Sequence, residues 1–159
     1  MKVIFLDVDG VLNSKEFFKN NQNEVVDRTN VKTIRNIIDK TGAIIVMSSG
    51  WKLWFDENMM PKHQYSQVLY DIFCEFGIGF FDKTPDFSTE EIRITKTFSH
   101  VKAEEIIAWL GEHKDVSRYA VLDDLDLRNE EINSHLVRAN ALVGITEENG
   151  KRVIDMLNS

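Results

Sequence analysis

Short apolar runs alternate with helical patterns along this chain, and that alternation limits the possible folds more than any other feature. The runs Val3–Leu6, Ala43–Met47 and Tyr119–Leu122 are four or five residues long and contain no charged side chain. Such runs are typical of strands that are buried on both faces, as in parallel sheets. Segments with apolar residues at helical spacing separate them. The pattern therefore predicts an α/β fold with a largely parallel sheet.

The remaining segments complete this predicted order of elements. Two further short strands are expected, at Ile78–Phe81 and Leu136–Val137. Apolar spacing predicts four helices: one between Asn30 as N-cap and Gly42, one carrying Val68 to Phe76, one at Lys102–His113 and one after Thr146. Residues 14–28 and 82–100 are polar and are predicted to form loops, the second with a single helical turn.

Length, charge and cysteine content exclude several classes of protein. A chain of 159 residues has the size of about one domain, and we expect one domain over residues 1–159. The net charge of −7 disfavours extended duplex binding, because a duplex-coating surface is basic. No apolar run approaches the roughly 20 residues of a membrane helix. Cys74 is the only cysteine, which excludes an intrachain disulfide and fits a cytoplasmic protein.

Reactive polar groups follow three of the predicted strands. The first strand runs into Asp7-Val8-Asp9-Gly10, the second into Ser48-Ser49 and the fourth into Asp123-Asp124. In an open parallel sheet, ligands bind outside the carboxyl ends of the strands. We therefore expect these groups, distant in sequence, to converge on one crevice.

The groups expected in this crevice suit the binding of a divalent cation and a phosphate. Several carboxylates in one place repel one another unless a cation lies among them, and a few hard oxygen ligands suit Mg²⁺. Ser48 and the amides of residues 8–10 offer donors to an anion, and Lys102 offers a positive charge. One carboxylate of the first motif can attack phosphorus, while the other, two residues away, can transfer protons. Gly10 permits a sharp turn directly after the pair.

The same residues resemble a known family. Asp7-Val8-Asp9-Gly10-Val11-Leu12 resembles the first motif of the haloacid dehalogenase-like (HAD) phosphohydrolase superfamily, an apolar strand followed by Asp-x-Asp-Gly-x-Leu. Val46-Met47-Ser48 resembles its second motif, Lys102 its third and Leu122-Asp123-Asp124 its fourth, in the family's order. The resemblance implies a three-layer, Rossmann-like sandwich around a mostly parallel sheet.

A closer resemblance is to the small HAD domains of RNA-repair multi-enzyme proteins. It rests on the segments Asp9–Asn13, Ser48–Lys52, Glu104–Leu110, Leu122–Asp124, His135–Arg138 and Gly144–Glu148. Lys52 stands at a position where this resemblance leads us to expect arginine. The resemblance covers nearly the whole chain.

The resemblance implies catalytic and metal-binding roles. Asp7 is expected to be the nucleophile and a Mg²⁺ ligand. Asp9 is expected to be the general acid and base, with its backbone carbonyl also on the metal. Either Asp123 or Asp124 completes the metal site.

The resemblance also implies contacts to the phosphoryl group. Ser48 and Lys102 are the expected partners, and Ser49 takes the place of Ser48 if the second strand ends one residue later. Gly10 and Lys52 are further candidate phosphate-binding residues.

Substrate class follows from the intervals between the motifs. The 41 residues from Asp7 to Ser48 and the 54 from Ser48 to Lys102 are too few for a large cap domain beside the predicted elements. An open site admits a nucleotide, a nucleic-acid end or another phosphomonoester, and Trp51 and Trp54 are candidates to stack on a base. The expected function is a Mg²⁺-dependent phosphomonoesterase. The alternatives are a phospho-acceptor module and a catalytically weak scaffold that binds a protein.

Overall fold

The computed structural model describes residues 1–159 and contains five strands. The strands are β1 (Lys2–Leu6), β2 (Ile44–Met47), β3 (Phe80–Lys83), β4 (Arg118–Asp123) and β5 (Leu136–Arg138). The helices are α1 (Lys15–Asn20), α2 (Arg28–Thr41), α3 (Gln64–Glu75), α4 (Glu90–Thr95), α5 (Ser99–Glu112), α6 (Glu130–Ser134) and α7 (Glu147–Asn158), and a 3₁₀ helix spans Gly50–Trp54. No helix is long and apolar enough to cross a membrane.

All five strands are parallel and lie in the order β3-β2-β1-β4-β5. Alternate side chains of β1 point to opposite faces, as the pleat requires. Ile4 and Leu6 pack in the larger core with α2, α3 and α7, whereas Val3 and Phe5 pack in a smaller core with α5 and α6. The predicted three-layer α/β sandwich is therefore confirmed.

The segments on either side of β2 contain no large cap, as expected. Between Asp7 and Ser48 the chain forms α1, α2 and β2. Between Ser48 and Lys102 it forms the 3₁₀ helix, α3, β3, α4 and the start of α5. The carboxyl edge of the sheet is flanked by short helices and loops.

Several local predictions were wrong. Residues 14–28 were expected to be a loop but contain α1, which Ser14 caps by accepting a hydrogen bond from the amide of Phe17. The N-cap of α2 is Asp27 rather than Asn30, whose buried side chain instead donates to the carbonyl of Val11. Lys102 lies in the first turn of α5 and does not open it, because the helix begins at Ser99.

Two predicted helix ends are confirmed. Gly42 ends α2 in the left-handed conformation, with φ of 68°, and its amide donates to the carbonyl of Ile38. Such a C-terminal position favours glycine because it carries no Cβ. Thr146 caps α7 and forms a reciprocal capping box with Asn149.

Candidate active site

The carboxyl edge of the sheet brings the predicted strand-end groups together. The amide of Asp7 donates to the carbonyl of Leu122 on β4, and the amide of Ser48 donates to the carbonyl of Leu6 on β1. Asp123 is the last residue of β4. Because β1 lies between β2 and β4, the backbones that carry these three residues are neighbours.

Three carboxylates form an acidic cluster at this edge. One oxygen from each of Asp7, Asp123 and Asp124 lies within 4.8 Å of the others. Asp7 and Asp123 are buried, and Asp124 is partly exposed. The amide of Leu125 donates to Oδ1 of Asp123 at 3.0 Å, which fixes that side chain in the turn after β4. The cluster offers the oxygen ligands that could hold a metal ion.

Lys102 is the cation that faces this cluster. Its Nζ lies 2.8 Å from Oδ2 of Asp123 and 3.2 Å from Oδ1 of Asp7. Burial alone would lower the pKa of Lys102, but attraction and hydrogen bonds to Asp7 and Asp123 together outweigh it, and the pKa lies above its ordinary value. Lys102 therefore stays charged throughout the physiological pH range.

The cluster carries more negative charge than Lys102 can balance. Burial, with repulsion from Asp123, raises the pKa of Asp7 well above its ordinary value. Burial and the charge of Asp123 also raise the pKa of Asp124. Three carboxylates against one ammonium group leave two negative charges uncompensated when all are ionised. A divalent cation would supply the missing charge, so the residues present fit such an ion.

Asp9 lies apart from the acidic cluster. Its side chain is not among the three grouped carboxylates, and the residue is exposed. Its Oδ1 accepts a hydrogen bond from Nδ2 of Asn13 at 3.0 Å, and its Oδ2 accepts one from Nε1 of Trp51 at 3.1 Å. The predicted contact between its backbone carbonyl and a metal stays a prediction.

Gly10 makes room for the cluster and does not offer a free amide. Its φ is 82°, and a Cβ there would lie 2.5 Å from Oδ2 of Asp124. The amide of Gly10 donates to Oδ1 of Asn13 at 2.9 Å. In the structure Gly10 lets Asp124 approach the turn, and its expected phosphate contact stays a prediction.

The two adjacent serines differ in their hydrogen bonds. Ser48 is buried, and its Oγ has no partner within the protein. Ser49 is also buried, but its Oγ accepts a hydrogen bond from the amide of Trp51 and caps the 3₁₀ helix. Ser48 is therefore the serine whose hydroxyl has no partner within the protein.

Lys52 was expected to bind phosphate, but its ammonium group already has protein partners. Its Nζ lies 2.9 Å from Oε1 of Glu105, 3.0 Å from Oγ1 of Thr84 and 2.9 Å from the carbonyl of Pro85. Burial lowers its pKa despite the attraction of Glu105. With Ser48 and Lys102 it lines a cavity of about 150 Å³. A direct phosphate contact would require Lys52 to leave Glu105.

A comparison with models of protein families shows the family to which the chain belongs. The model of the family described as "HAD domain in Swiss Army Knife RNA repair proteins" matches residues 3–149. The chain belongs to this family. No curated protein and no solved structure matches it. Family membership supports a function of the HAD phosphohydrolase type.

Sequence reasoning missed the contacts of three side chains that shape the site of this HAD domain. Trp51 and Asn13 hold Asp9, and Glu105 pairs with Lys52. Asn13 is four residues after Asp9, a spacing that could have indicated a local side-chain contact. Trp51 and Glu105 gave no such signal, because their partners are distant in sequence. Trp51 is buried and so is not available to stack on a base.

Proposed function

We propose that this HAD domain is a Mg²⁺-dependent phosphomonoesterase that passes through an aspartyl-phosphate on Asp7. The observation that carries the proposal is the cluster of Asp7, Asp123 and Asp124, two of them buried, with Lys102 paired to the two buried members. Its two uncompensated negative charges match one divalent cation. Family membership supports the same chemistry.

Asp7, Asp123 and Asp124 would hold the ion, and oxygen-only ligands favour Mg²⁺ over softer metals. When bound, the ion supplies positive charge that stabilises the negative charge developing on the phosphoryl oxygens. Lys102 adds a fixed positive charge from α5, and the free hydroxyl of Ser48 adds a hydrogen-bond donor. Lys102 is already held in place by its ion pairs with Asp7 and Asp123, so its charge needs little reorganisation during the reaction.

The reaction has two balanced steps. First, an oxygen of Asp7 forms a bond to phosphorus, the bond from phosphorus to the leaving oxygen breaks, and Asp9 gives its proton to that oxygen. Second, a water oxygen forms a bond to phosphorus, the water proton passes to Asp9, and the bond between Asp7 and phosphorus breaks. Phosphate leaves, and Asp9 is again protonated.

We propose nucleotides or nucleic-acid end phosphates as the substrates. The absence of a large cap leaves room for a substrate bulkier than a small metabolite. The family description places relatives in RNA repair proteins, which supports the same class. The net charge of −7 favours ends over extended duplexes.

A phosphatase panel tests the proposal. Wild type, Asp7→Asn and Asp155→Asn are assayed with Mg²⁺ and with a chelator on nucleotides, phosphorylated oligonucleotides, phosphopeptides and sugar phosphates. Asp155 is an exposed residue of α7, so its variant is the matched control. We expect Mg²⁺-dependent turnover by wild type and Asp155→Asn, and loss of turnover and of the covalent phosphoenzyme in Asp7→Asn.

Each other outcome of the panel has a distinct meaning. Turnover that survives in Asp7→Asn would remove the covalent mechanism. A stable phosphoenzyme without turnover would indicate a phospho-acceptor instead. Activity on oligonucleotides no higher than on sugar phosphates would remove the proposed substrate class.

A further inference from the structure

Two N–H donors hold the carboxylate of Asp9 at the surface of the site. Nε1 of Trp51 lies 3.1 Å from Oδ2, and Nδ2 of Asn13 lies 3.0 Å from Oδ1, so each oxygen has one donor. Asp9 is exposed, whereas Trp51 and Asn13 are buried. An exposed aspartate without such partners samples several rotamers. The pair of donors therefore restrains a side chain that solvent alone would leave mobile.

Both donors are themselves fixed by the surrounding fold. Asn13 accepts a hydrogen bond from the amide of Gly10 through Oδ1, and its Nδ2 also donates to the carbonyl of Val25. The amide of Trp51 donates to Oγ of Ser49, and its ring packs edge-on against Trp54 at 5.0 Å. The position of Asp9 is thus set by the turn after β1 and by the 3₁₀ helix after β2.

We propose that Trp51, together with Asn13, is a positioning residue that holds Asp9 where it can give a proton to the leaving oxygen. This inference rests on the proposed function, in which Asp9 is the acid of the first step. Trp51 itself touches neither phosphorus nor the nucleophile in this scheme. Its effect is geometric, and a displacement of a catalytic group by about 1 Å can slow a reaction by about 10²-fold.

The proposal predicts a dependence on the leaving group. A dinitrophenolate leaves without a proton, so its release does not need Asp9. An alkoxide, as in glycerol phosphate, must be protonated as the bond to phosphorus breaks. Loss of the Trp51 donor should therefore slow the alkyl phosphate far more than the dinitrophenyl phosphate. The relevant constant is kcat/KM, which includes the phosphorylation of Asp7 but not the later hydrolysis.

The experiment compares Trp51→Phe with a matched tryptophan variant. Trp109 is also buried and also donates its Nε1 to an aspartate, Asp82, at 2.7 Å, but it packs in the smaller core, whereas Trp51 packs in the larger one. We expect Trp51→Phe to lower kcat/KM about tenfold or more for glycerol phosphate, because general acid catalysis contributes roughly 10²–10⁴-fold. For dinitrophenyl phosphate, whose leaving group needs no proton, kcat/KM should fall less than about threefold. Trp109→Phe should change both substrates by the same factor.

The outcomes separate this inference from the function on which it rests. If Trp51→Phe lowers kcat/KM equally for both substrates, Trp51 has only a structural role and the proposal is overturned. If wild type turns over neither these two substrates nor the nucleotides and oligonucleotides of the phosphatase panel, or if Asp7→Asn keeps its activity, the proposed function itself fails.

A second variant covers the case in which Trp51→Phe does not fold. Site-specific incorporation of benzothienylalanine at position 51 replaces only the ring N–H by sulfur and preserves the shape of the side chain. It should reproduce the leaving-group dependence with an unchanged unfolding midpoint. The same kcat/KM ratio between the two substrates as in wild type would overturn the proposal.

Discussion

Nζ of Lys102 donates to Oδ2 of Asp123 at 2.8 Å, within a site where both side chains are buried. This bond joins the first turn of α5 to the end of β4, across a sequence separation of 21 residues. An intact buried ion pair adds little net stability to a fold. Removing only one partner is strongly destabilising, because the other charge stays buried without compensation. The relationship therefore makes Lys102 a structural as well as a functional residue.

Lys102→Met is expected to destabilise the metal-free protein by about 3–5 kcal/mol, because it leaves Asp7 and Asp123 buried without their cation. Chemical denaturation at neutral pH measures the change. Lys114→Met is the control, since Lys114 is exposed and forms no ion pair. A loss of activity in Lys102→Met with unchanged stability would show that the ion pair contributes nothing to the fold.

Burial of Asp7 and its repulsion by the other carboxylates of the cluster predict a pH dependence of stability. The pKa of Asp7 in the folded protein lies above its ordinary value of 3.8. Between these two pKa values the folded state binds more protons than the unfolded state. The free energy of unfolding of the metal-free protein should therefore decrease as the pH rises from 3.8 through the folded-state pKa. Thermal unfolding across this range measures it.

Asp124→Asn isolates this effect of charge. The variant removes one repelling carboxylate, so the metal-free protein should unfold a few degrees higher than wild type at neutral pH and show a weaker pH dependence. Mg²⁺ should raise the unfolding midpoint of wild type and have little effect on Asp124→Asn. An equal Mg²⁺ response in both proteins would mean that Asp124 is not a ligand.

The fold could be predicted because its determinants are local. Each strand of the sheet interior contains a continuous apolar run, and each long helix carries an apolar stripe. The short helices α1 and α6 were missed because five or six residues are too few to show the apolar spacing i, i+3, i+4, i+7. Asp27 and Asn30 both suit an N-cap, and only the tertiary contact of Asn30 with Val11 decides between them.

The site could be predicted only in part, for a related reason. Parallel strands bring their carboxyl ends together, so the meeting of Asp7, Ser48 and Asp123 follows from the order of elements. The contact between Asp9 and Trp51 spans 42 residues and depends on the turn of a 3₁₀ helix. The pairing of Lys52 with Glu105 depends on how α5 docks on the sheet. Neither contact leaves a periodic signal in the sequence.

Lys52→Met should destabilise the fold by about 3–5 kcal/mol, because Glu105 would keep a buried charge without its partner. The double variant Lys52→Met with Glu105→Leu should regain most of this loss, since apolar side chains can replace a buried pair. Denaturation of the two variants measures the difference. A single variant with wild-type stability but a raised KM would instead favour a phosphate contact for Lys52.

Ser48→Ala and Ser49→Ala should separate activity from stability. The Oγ of Ser48 has no partner in the protein, so its removal should leave stability unchanged. Kcat/KM should fall roughly 10–100-fold, the effect of losing one hydrogen bond to a charged phosphoryl group. Ser49→Ala should cost about 1 kcal/mol of stability because it removes the cap of the 3₁₀ helix. Phosphatase kinetics and thermal unfolding of both variants test these expectations. If Ser49→Ala lost activity and Ser48→Ala lost only stability, the phosphoryl contact would belong to Ser49.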